Sequence, residues 1–185
     1  MKTEKEKMLA GEFYRASDSF LVQEHHASNK LCRLYNATTD DEQEVRCQIL
    51  SKLLGTSHPD TFIEPNFKCD YGYNTYLGHK FYANYDLIIL DVCEVRIGDN
   101  CMIGPRVSLF TATHPTDAAT RVSGLEFGKP ISIGNNVWIG GHSVINPGVS
   151  IGDNVVVASG SVVTKSFGSN LLIGGVPAKV IRSLV

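Results

Sequence analysis

The loop at about 110–132 carries the side chains best suited to acid–base chemistry. His114 is followed by Pro115, which restricts the backbone, and Glu126 comes later in the same loop. An imidazole, whose ordinary pKa is about 6.5, can take a proton from a hydroxyl group at neutral pH. A carboxylate bonded to the other ring nitrogen would fix its tautomer. From the residues alone, His114 is either a general base or a surface histidine, and Glu126 is either its partner or a solvated carboxylate.

A second group of polar residues lies towards the carboxyl end. Thr164 and Lys165, followed by Lys179 and Arg182, form a basic cluster in a chain whose formal net charge is −2. These cations could bind phosphate groups, although single lysines and arginines are usually solvated surface charges. The mild overall charge provides no electrostatic reason to expect nucleic acid or a membrane as a partner.

The spacing of aliphatic residues predicts the scaffold that must hold these side chains. Isoleucine or valine returns at every sixth residue from Ile133 to Val163, and a small or polar residue follows each one. Period six is typical of a parallel β-helix, in which each short segment points one side chain inward. The same phase holds at Ile97 and Leu109, so the loop interrupts the coil without shifting it. Earlier positions are two residues out of phase, which we attribute to a two-residue insert between Val95 and Ile97.

Residues 3 to about 54 differ from the rest and are predicted to be helical. A first segment runs to about Ala10, and a second spans about 18–35. The third segment begins with a capping box at Thr39 and ends at Gly55. The apolar faces of the second and third segments are predicted from helical spacing. They consist of Phe20, Leu21, His25, Leu31, Leu34, Val45, Ile49, Leu53 and Leu54.

We therefore predict a mainly β protein with a helical cap at 1–56 and a β-helix domain at 57–185, in which a coil of three segments uses about 18 residues. An array of repeats exposes apolar surface at its end, and the helical segment would cover it. The five cysteines form no CxxC pair and are expected to be reduced core residues. No apolar stretch is long enough for a signal peptide or a membrane span, so we expect a soluble cytoplasmic protein.

Longer motifs resemble those of one enzyme family. They are Met8–Tyr14, Tyr82–Asn84, Ile97–Asn100, Thr113–Pro115, Asn135–Gly140, Ile145–Val149, Gly160–Lys165 and Gly175–Ile181. Together they resemble the maltose and galactoside O-acetyltransferases over nearly the whole chain. The resemblance implies a left-handed parallel β-helix assembled as a homotrimer, with acetyl-CoA bound between neighbouring subunits. It also implies direct acetyl transfer to the hydroxyl of a small sugar, without a covalent enzyme intermediate.

The resemblance also assigns residues. The catalytic histidine of the family corresponds to His114 and its transition-state-stabilising asparagine to Asn84, while Glu126 would orient the histidine. The expected acceptor-binding residues are Asp70, Tyr82, Asn84 and Asp91. The expected acetyl-CoA contacts are Gly141, Ala158, Thr164, Lys165, Lys179, Arg182 and Trp138. Trp138 would pack either on the pantetheine arm or at the subunit interface.

One departure from the family and two rival functions stay open. Ala16 stands where relatives carry an aspartate, and nearby Asp18 is available to cap the second helix. No metal is expected, because His114 lacks the second histidine at the spacing that β-helix carbonic anhydrases use, and position 119 is Ala119. We expect an acetyl-CoA-dependent sugar O-acetyltransferase. Its rivals are an N-acetyltransferase of amino sugars or xenobiotics and a non-catalytic β-helix scaffold.

Overall fold

The computed structural model describes residues 2–185, which form a helical segment followed by a triangular solenoid. The helices of this segment are α1 (Glu4–Leu9), α2 (Ser19–Asn36) and α3 (Gln43–Leu53). Asp18 caps α2, because its carboxylate accepts the N–H groups of Phe20 and Leu21. No helix within residues 2–185 is long and apolar enough to cross a membrane.

Sixteen strands form the three faces of the solenoid, and we name each face by its sheet. Face A contains β3 (Thr75–Leu77), β6 (Val95–Ile97), β11 (Ile131–Ile133) and β14 (Ser150–Ile151). Face B contains β1 (Phe62–Ile63), β4 (Tyr82–Ala83), β7 (Met102–Ile103), β12 (Trp138–Ile139), β15 (Val155–Val157), β17 (Leu171–Gly175) and β18 (Ala178–Ser183). Face C contains β2 (Lys68–Cys69), β5 (Ile88–Leu90), β8 (Ser108–Phe110), β13 (Val144–Ile145) and β16 (Val162–Val163).

The chain runs from face A to face B to face C in every coil, so inward side chains stack on their equivalents in the next coil. On face B, this inward column is Ala83, Ile103, Ile139, Val157 and Ile173. All five are buried, with at most 1% of each residue exposed. Burial of one valine or isoleucine side chain contributes roughly 1.5–3 kcal/mol. The parallel β-helix predicted from period six is confirmed.

The phase break lies in a corner rather than within a strand. Val95 and Ile97 both point inward on β6, where they pair with Ile131 and Ile133. The two extra residues therefore lie between Ile89 and Val95, and the predicted insert between Val95 and Ile97 is wrong. Early coils repeat at 20 residues, as between Tyr82 and Met102, and later coils repeat at 18, as between Trp138 and Val156. The last repeat is 16 residues, from Val156 to Leu172. The longer corners form the edge between faces C and A.

Helices α2 and α3 cover the open end of the first coil. Tyr35, Leu50 and Leu53 share one apolar core with Ile63 and Phe67 of that coil. A second, smaller core contains Met8, Tyr14, Leu21, Tyr71, Val92 and Cys93. The cap therefore closes the end of the solenoid with α2 and α3, while the segment around α1 packs against its side.

The buried faces of the cap helices differ from those predicted. On α2, Phe20 and Leu34 are about half exposed, and the buried residues are Leu21, Ser28, Cys32 and Tyr35. On α3, Val45 is 41% exposed whereas Arg46 is only 2% exposed. Nε of Arg46 donates to the hydroxyl of Thr38 at 2.9 Å, Nη2 donates to Oδ1 of Asp40 at 3.1 Å, and the guanidinium lies over the Tyr35 ring. Helix α3 also begins at Gln43 rather than at Thr39.

The other end of the solenoid is closed by a hairpin. Strand β17 pairs in parallel with β15, but the chain then reverses and β18 pairs with β17 in antiparallel fashion. The five cysteines are free thiols, and Cys32, Cys69, Cys93 and Cys101 are buried. The burial of these four agrees with the expectation of core residues, whereas Cys47 is partly exposed.

Candidate active site

A cleft of about 370 Å³ lies between helix α2 and the C/A edge of the first coils. Its titratable side chains are His25, His26, Asp70, Tyr71, His114 and Glu126. A second groove of about 530 Å³ lies along the same edge and contains His114, Lys129, Asn146, Pro147 and Thr164. Only His114 lines both spaces among the residues that the structure describes. The imidazole is therefore accessible from two directions.

The interrupting loop folds back on itself and brings His114 opposite Glu126. Strands β9 (Ala112–Thr113) and β10 (Phe127–Gly128) pair in antiparallel fashion, with helix α4 (Ala118–Val122) between them. His114 directly follows β9, and Glu126 directly precedes β10. Nε2 of His114 lies 3.8 Å from Oε2 of Glu126, close enough for electrostatic attraction but longer than a hydrogen bond. The His114 side chain is 57% exposed and that of Glu126 is 20% exposed.

Asp70 reaches the cleft with a histidine beside it. Oδ1 of Asp70 lies 3.5 Å from Nε2 of His25 on α2. Nδ2 of Asn29 lies 3.2 Å from Nδ1 and 3.4 Å from Nε2 of the same His25 ring. Burial raises the pKa of Asp70, and the neighbouring His25 partly opposes this rise. The pair can present both an acceptor and a donor to a polar ligand.

Asp91 lies beneath the cleft rather than in its lining. The residue is fully buried, and its Oδ1 accepts the backbone N–H groups of Asp70 at 3.1 Å and Tyr71 at 2.9 Å. Its Oδ2 accepts the Thr75 hydroxyl at 3.1 Å. Burial raises the pKa of Asp91 to about 7. Asp91 therefore lies outside the surface of the cleft, and its carboxylate instead holds the backbone that carries Asp70.

Several predicted site residues lie away from His114. Asn84, Gly141 and Ala158 lie in the corners of the B/C edge, which is separated from the C/A edge by the whole of face C. Tyr82 and Trp138 lie on strands of face B, where the Tyr82 ring stacks on Phe62 at 6.1 Å and Trp138 is 49% exposed. Within residues 2–185, these five predicted residues line neither the cleft nor the groove. Within one chain, the residues of the predicted site therefore lie at two different edges of the solenoid.

The residues of the predicted basic cluster lie near the same end of the solenoid, but on two different faces. Thr164 and Lys165 follow β16 at the C/A edge, and Thr164 lines the groove next to His114. Lys179 and Arg182 lie on β18, at the end of face B, and both are exposed. The sequence suggested a single basic cluster, whereas the strand order assigns these residues to two faces. Within the described chain, no group of three His, Cys, Asp or Glu side chains could hold a metal ion.

Two residues of the site were not identified from the sequence. His25 was expected on the apolar face of α2, but it lines the cleft and faces Asp70. Tyr14 was part of an N-terminal motif without an assigned role, yet its hydroxyl donates a hydrogen bond to Oε1 of Glu126. The motif Met8–Tyr14 could have indicated that Tyr14 has a role. The contact of Tyr14 with the loop, however, is seen only in the folded chain.

Comparison with known proteins identifies the family. The profile of the maltose acetyltransferase hexapeptide capping motif matches residues 7–58, and that of the hexapeptide repeat of succinyl-transferase matches 94–109 and 130–165. A maltose O-acetyltransferase structure from Clostridium difficile 630 is 51% identical, with a TM-score of 0.98 and coverage of 100% of this chain and 98% of its own. A galactoside acetyltransferase in complex with coenzyme A is 36% identical, with a TM-score of 0.92 and coverage of 100% and 92%. The galactoside O-acetyltransferase of Escherichia coli K12 is 39% identical over 97% of this chain and 88% of its own length. The resemblance indicated by the motifs is confirmed, and the chain belongs to the maltose and galactoside O-acetyltransferase family of hexapeptide-repeat acyltransferases.

Proposed function

We propose that this protein transfers the acetyl group of acetyl-CoA to a hydroxyl of a small sugar or glycoside, with His114 as the general base. The observation that carries the proposal is the position of His114 between the cleft and the groove, with Glu126 behind one ring nitrogen. An acceptor in the cleft and a thioester in the groove would meet at the imidazole. Because acetyl-CoA is made inside cells, we also expect the enzyme to act in the cytoplasm.

The reaction follows from this arrangement. Glu126 faces Nε2 of His114, which leaves Nδ1 to accept the proton of the sugar hydroxyl. The deprotonating oxygen attacks the thioester carbonyl, and a C–O bond forms. The C–S bond then breaks, and the imidazolium returns its proton to the departing sulfur. Backbone N–H groups near Gly141 and the side chain of Asn84 are suited to stabilise the negative charge on the carbonyl oxygen.

The donor and acceptor have separate binding residues in this proposal. Asp70 and His25 would hydrogen-bond the sugar, while Asp91 keeps the backbone of Asp70 in position. Thr164 and the cations Lys165, Lys179 and Arg182 would bind the phosphates and the pantetheine arm of acetyl-CoA, together with the narrow corners at Gly141 and Ala158 and the exposed ring of Trp138. Tyr82 would border the acceptor from the neighbouring subunit.

We infer a homotrimer from the division of these residues between two edges. His114 lies at the C/A edge and Asn84 at the B/C edge of the same chain. If the C/A edge of one subunit meets the B/C edge of the next, the contact joins two different surfaces. Such a heterologous contact closes into a ring when the rotation allows it, and a triangular prism meeting its neighbour along two of its three edges suits a threefold ring.

Subunit complementation tests the base and the shared site together. His114→Ala and Asn84→Ala should each reduce kcat for maltose or galactoside acetylation at least about 100-fold. When equal amounts of the two variants are unfolded and refolded together, about one site in four receives both intact residues, because they come from adjacent chains. We therefore expect about a quarter of the wild-type activity.

The alternatives give different results. No recovery in the mixture would contradict the shared site, and a wild-type rate in His114→Ala would contradict the base. Higher kcat/KM with glucosamine or chloramphenicol than with maltose and galactosides would favour N-acetylation. A wild-type protein that neither binds coenzyme A nor consumes acetyl-CoA with any of these acceptors would favour the scaffold.

A further inference from the structure

The segment after α1 is attached directly to the loop that carries His114. The backbone N–H of Tyr14 donates to the carbonyl of Glu126 at 3.0 Å, and the N–H of Glu126 donates to the carbonyl of Tyr14 at 3.2 Å. Nη1 of Arg15 donates to the carbonyl of Ser123 at 2.8 Å. The backbone N–H of Arg15 is itself held by the carboxylate of Glu4 at 2.6 Å. The helical cap thus fixes the loop as well as covering the end of the solenoid.

Tyr14 has the geometry of a rigid support for one carboxylate. The residue is fully buried, and it packs in the small core with Leu21 and Val92. Its hydroxyl donates to Oε1 of Glu126, while Oε2 of the same carboxylate faces Nε2 of His114 at 3.8 Å. Burial, followed by the bond to Glu126, raises the pKa of Tyr14, so the phenol keeps its proton at neutral pH and acts as a donor.

We propose that Tyr14 is a positioning residue for the general base, holding Glu126 in the rotamer that directs its second oxygen at His114. The inference rests on the proposed role of His114. A glutamate side chain has several rotatable bonds, and this one is 20% exposed, so without the phenol it could turn towards water. The carboxylate at Nε2 favours the tautomer with the proton on Nε2 and leaves the lone pair of Nδ1 for the acceptor hydroxyl.

Kinetics of Tyr14→Phe test this role, since the change removes one oxygen and keeps the ring that fills the core. We expect kcat to fall about tenfold, which corresponds to about 1.4 kcal/mol, and the KM for acetyl-CoA to stay unchanged. Glu126→Gln should give a similar loss. The double variant should lose no more than Glu126→Gln alone, because Tyr14 acts through Glu126. Losses that multiply in the double variant would overturn the proposal.

Tyr35→Phe is the matched control. Tyr35 is also buried, at 1% exposure, and its hydroxyl also donates a hydrogen bond, to the carbonyl of Ile63 at 2.5 Å. It lies in the larger core under the cap, away from the loop. Its loss should lower the free energy of unfolding without changing kcat. A similar fall in kcat in both variants would assign the effect of Tyr14 to general stability and overturn the proposal.

A spectroscopic measurement separates this inference from the proposed function. Two-bond ¹H–¹⁵N correlation spectra at about pH 8.5, where histidine rings are neutral, report which nitrogen carries the proton. His114, assigned by comparison with His114→Ala, should show the Nε2–H tautomer in the wild type and a mixture in Tyr14→Phe and Glu126→Gln. An unchanged tautomer in Tyr14→Phe would overturn the positioning role even in an active enzyme. A wild type that is inactive but has the expected tautomers would overturn the proposed function alone.

Discussion

Replacing Asp91 by asparagine should make the protein more stable above neutral pH. Oδ1 of Asp91 accepts two backbone N–H groups, and Oδ2 accepts the hydroxyl of Thr75. An asparagine of the same shape keeps Oδ1 for the two N–H groups. Its Nδ2 can donate to the Thr75 oxygen, because a hydroxyl accepts as well as donates. The variant therefore keeps the contacts and removes a carboxylate that is fully buried.

The size of the effect follows from proton linkage. Burial raises the pKa of Asp91 from 3.8 to about 7, so the folded chain keeps this proton to higher pH than the unfolded chain. Stability is therefore lost as the pH rises from about 4 to about 7, and the loss is complete above that range. Each pH unit within the window costs about 1.4 kcal/mol. Between pH 5 and pH 8, the advantage of Asp91→Asn over the wild type in free energy of unfolding should grow by about 3 kcal/mol, because the pKa window of Asp91 covers about two of these pH units.

Urea denaturation followed by circular dichroism at several pH values, at one protein concentration, measures this difference. Asp153→Asn is the matched control, because Asp153 is an exposed corner carboxylate that also accepts a backbone N–H, that of Asn135 at 2.6 Å. The difference in free energy of unfolding between Asp153→Asn and the wild type should not grow as the pH rises. Parallel pH dependences of the wild type and Asp91→Asn, or a variant less stable than the wild type at pH 8, would refute the reasoning.

The remaining predictions concern the cap and the cleft. Leu50 is 1% exposed in the core between α3 and the first coil, so Leu50→Ala should lower the free energy of unfolding in urea by about 2–5 kcal/mol. Val45→Ala, on the exposed side of the same helix, should change it by less than about 1 kcal/mol, and equal losses would contradict the buried face described. His25→Ala should raise the KM for the sugar acceptor about tenfold, through one lost hydrogen bond, and leave the KM for acetyl-CoA unchanged in steady-state assays. A rise in both values would argue against an acceptor-binding role.

Much of the fold could be predicted because the interior of a β-helix admits few residue types. An aliphatic side chain is required at each inward position, and the column through Ile139 and Val157 meets that requirement at every coil. The phase break was assigned to the wrong bond because Val95 and Ile97 are both aliphatic and both inward. A spacing pattern cannot distinguish a corner insert from a strand insert in that case. In the first turns of α3, the buried residues Arg46 and Leu50 lie one position beyond the predicted Val45 and Ile49. A hydropathy pattern does not recognise an arginine that lies over the Tyr35 ring.

The site was harder to predict, because its residues come from segments that are distant in the sequence. They also differ in how far they are buried below the surface of the cleft. A resemblance indicates which position matters, but not that Asp91 lies below the surface that Asp70 presents. The contact of Tyr14 with Glu126 spans 112 residues and depends on an irregular loop, for which no periodicity exists. The separation of Asn84 from His114 follows only from the strand order. These features arise from the path of the chain around the prism.

The final hairpin has a consequence for how molecules of this protein meet one another. A parallel coil presents an unpaired strand on which a further coil, or another molecule, could stack without limit. Here β18 runs in the opposite direction, so it does not continue the parallel stack, and its exposed Lys179 and Arg182 place two positive charges on this rim. Helices α2 and α3 occupy the opposite rim. Both ends of the solenoid thus carry elements that break the repeat, which disfavours end-to-end stacking along its axis.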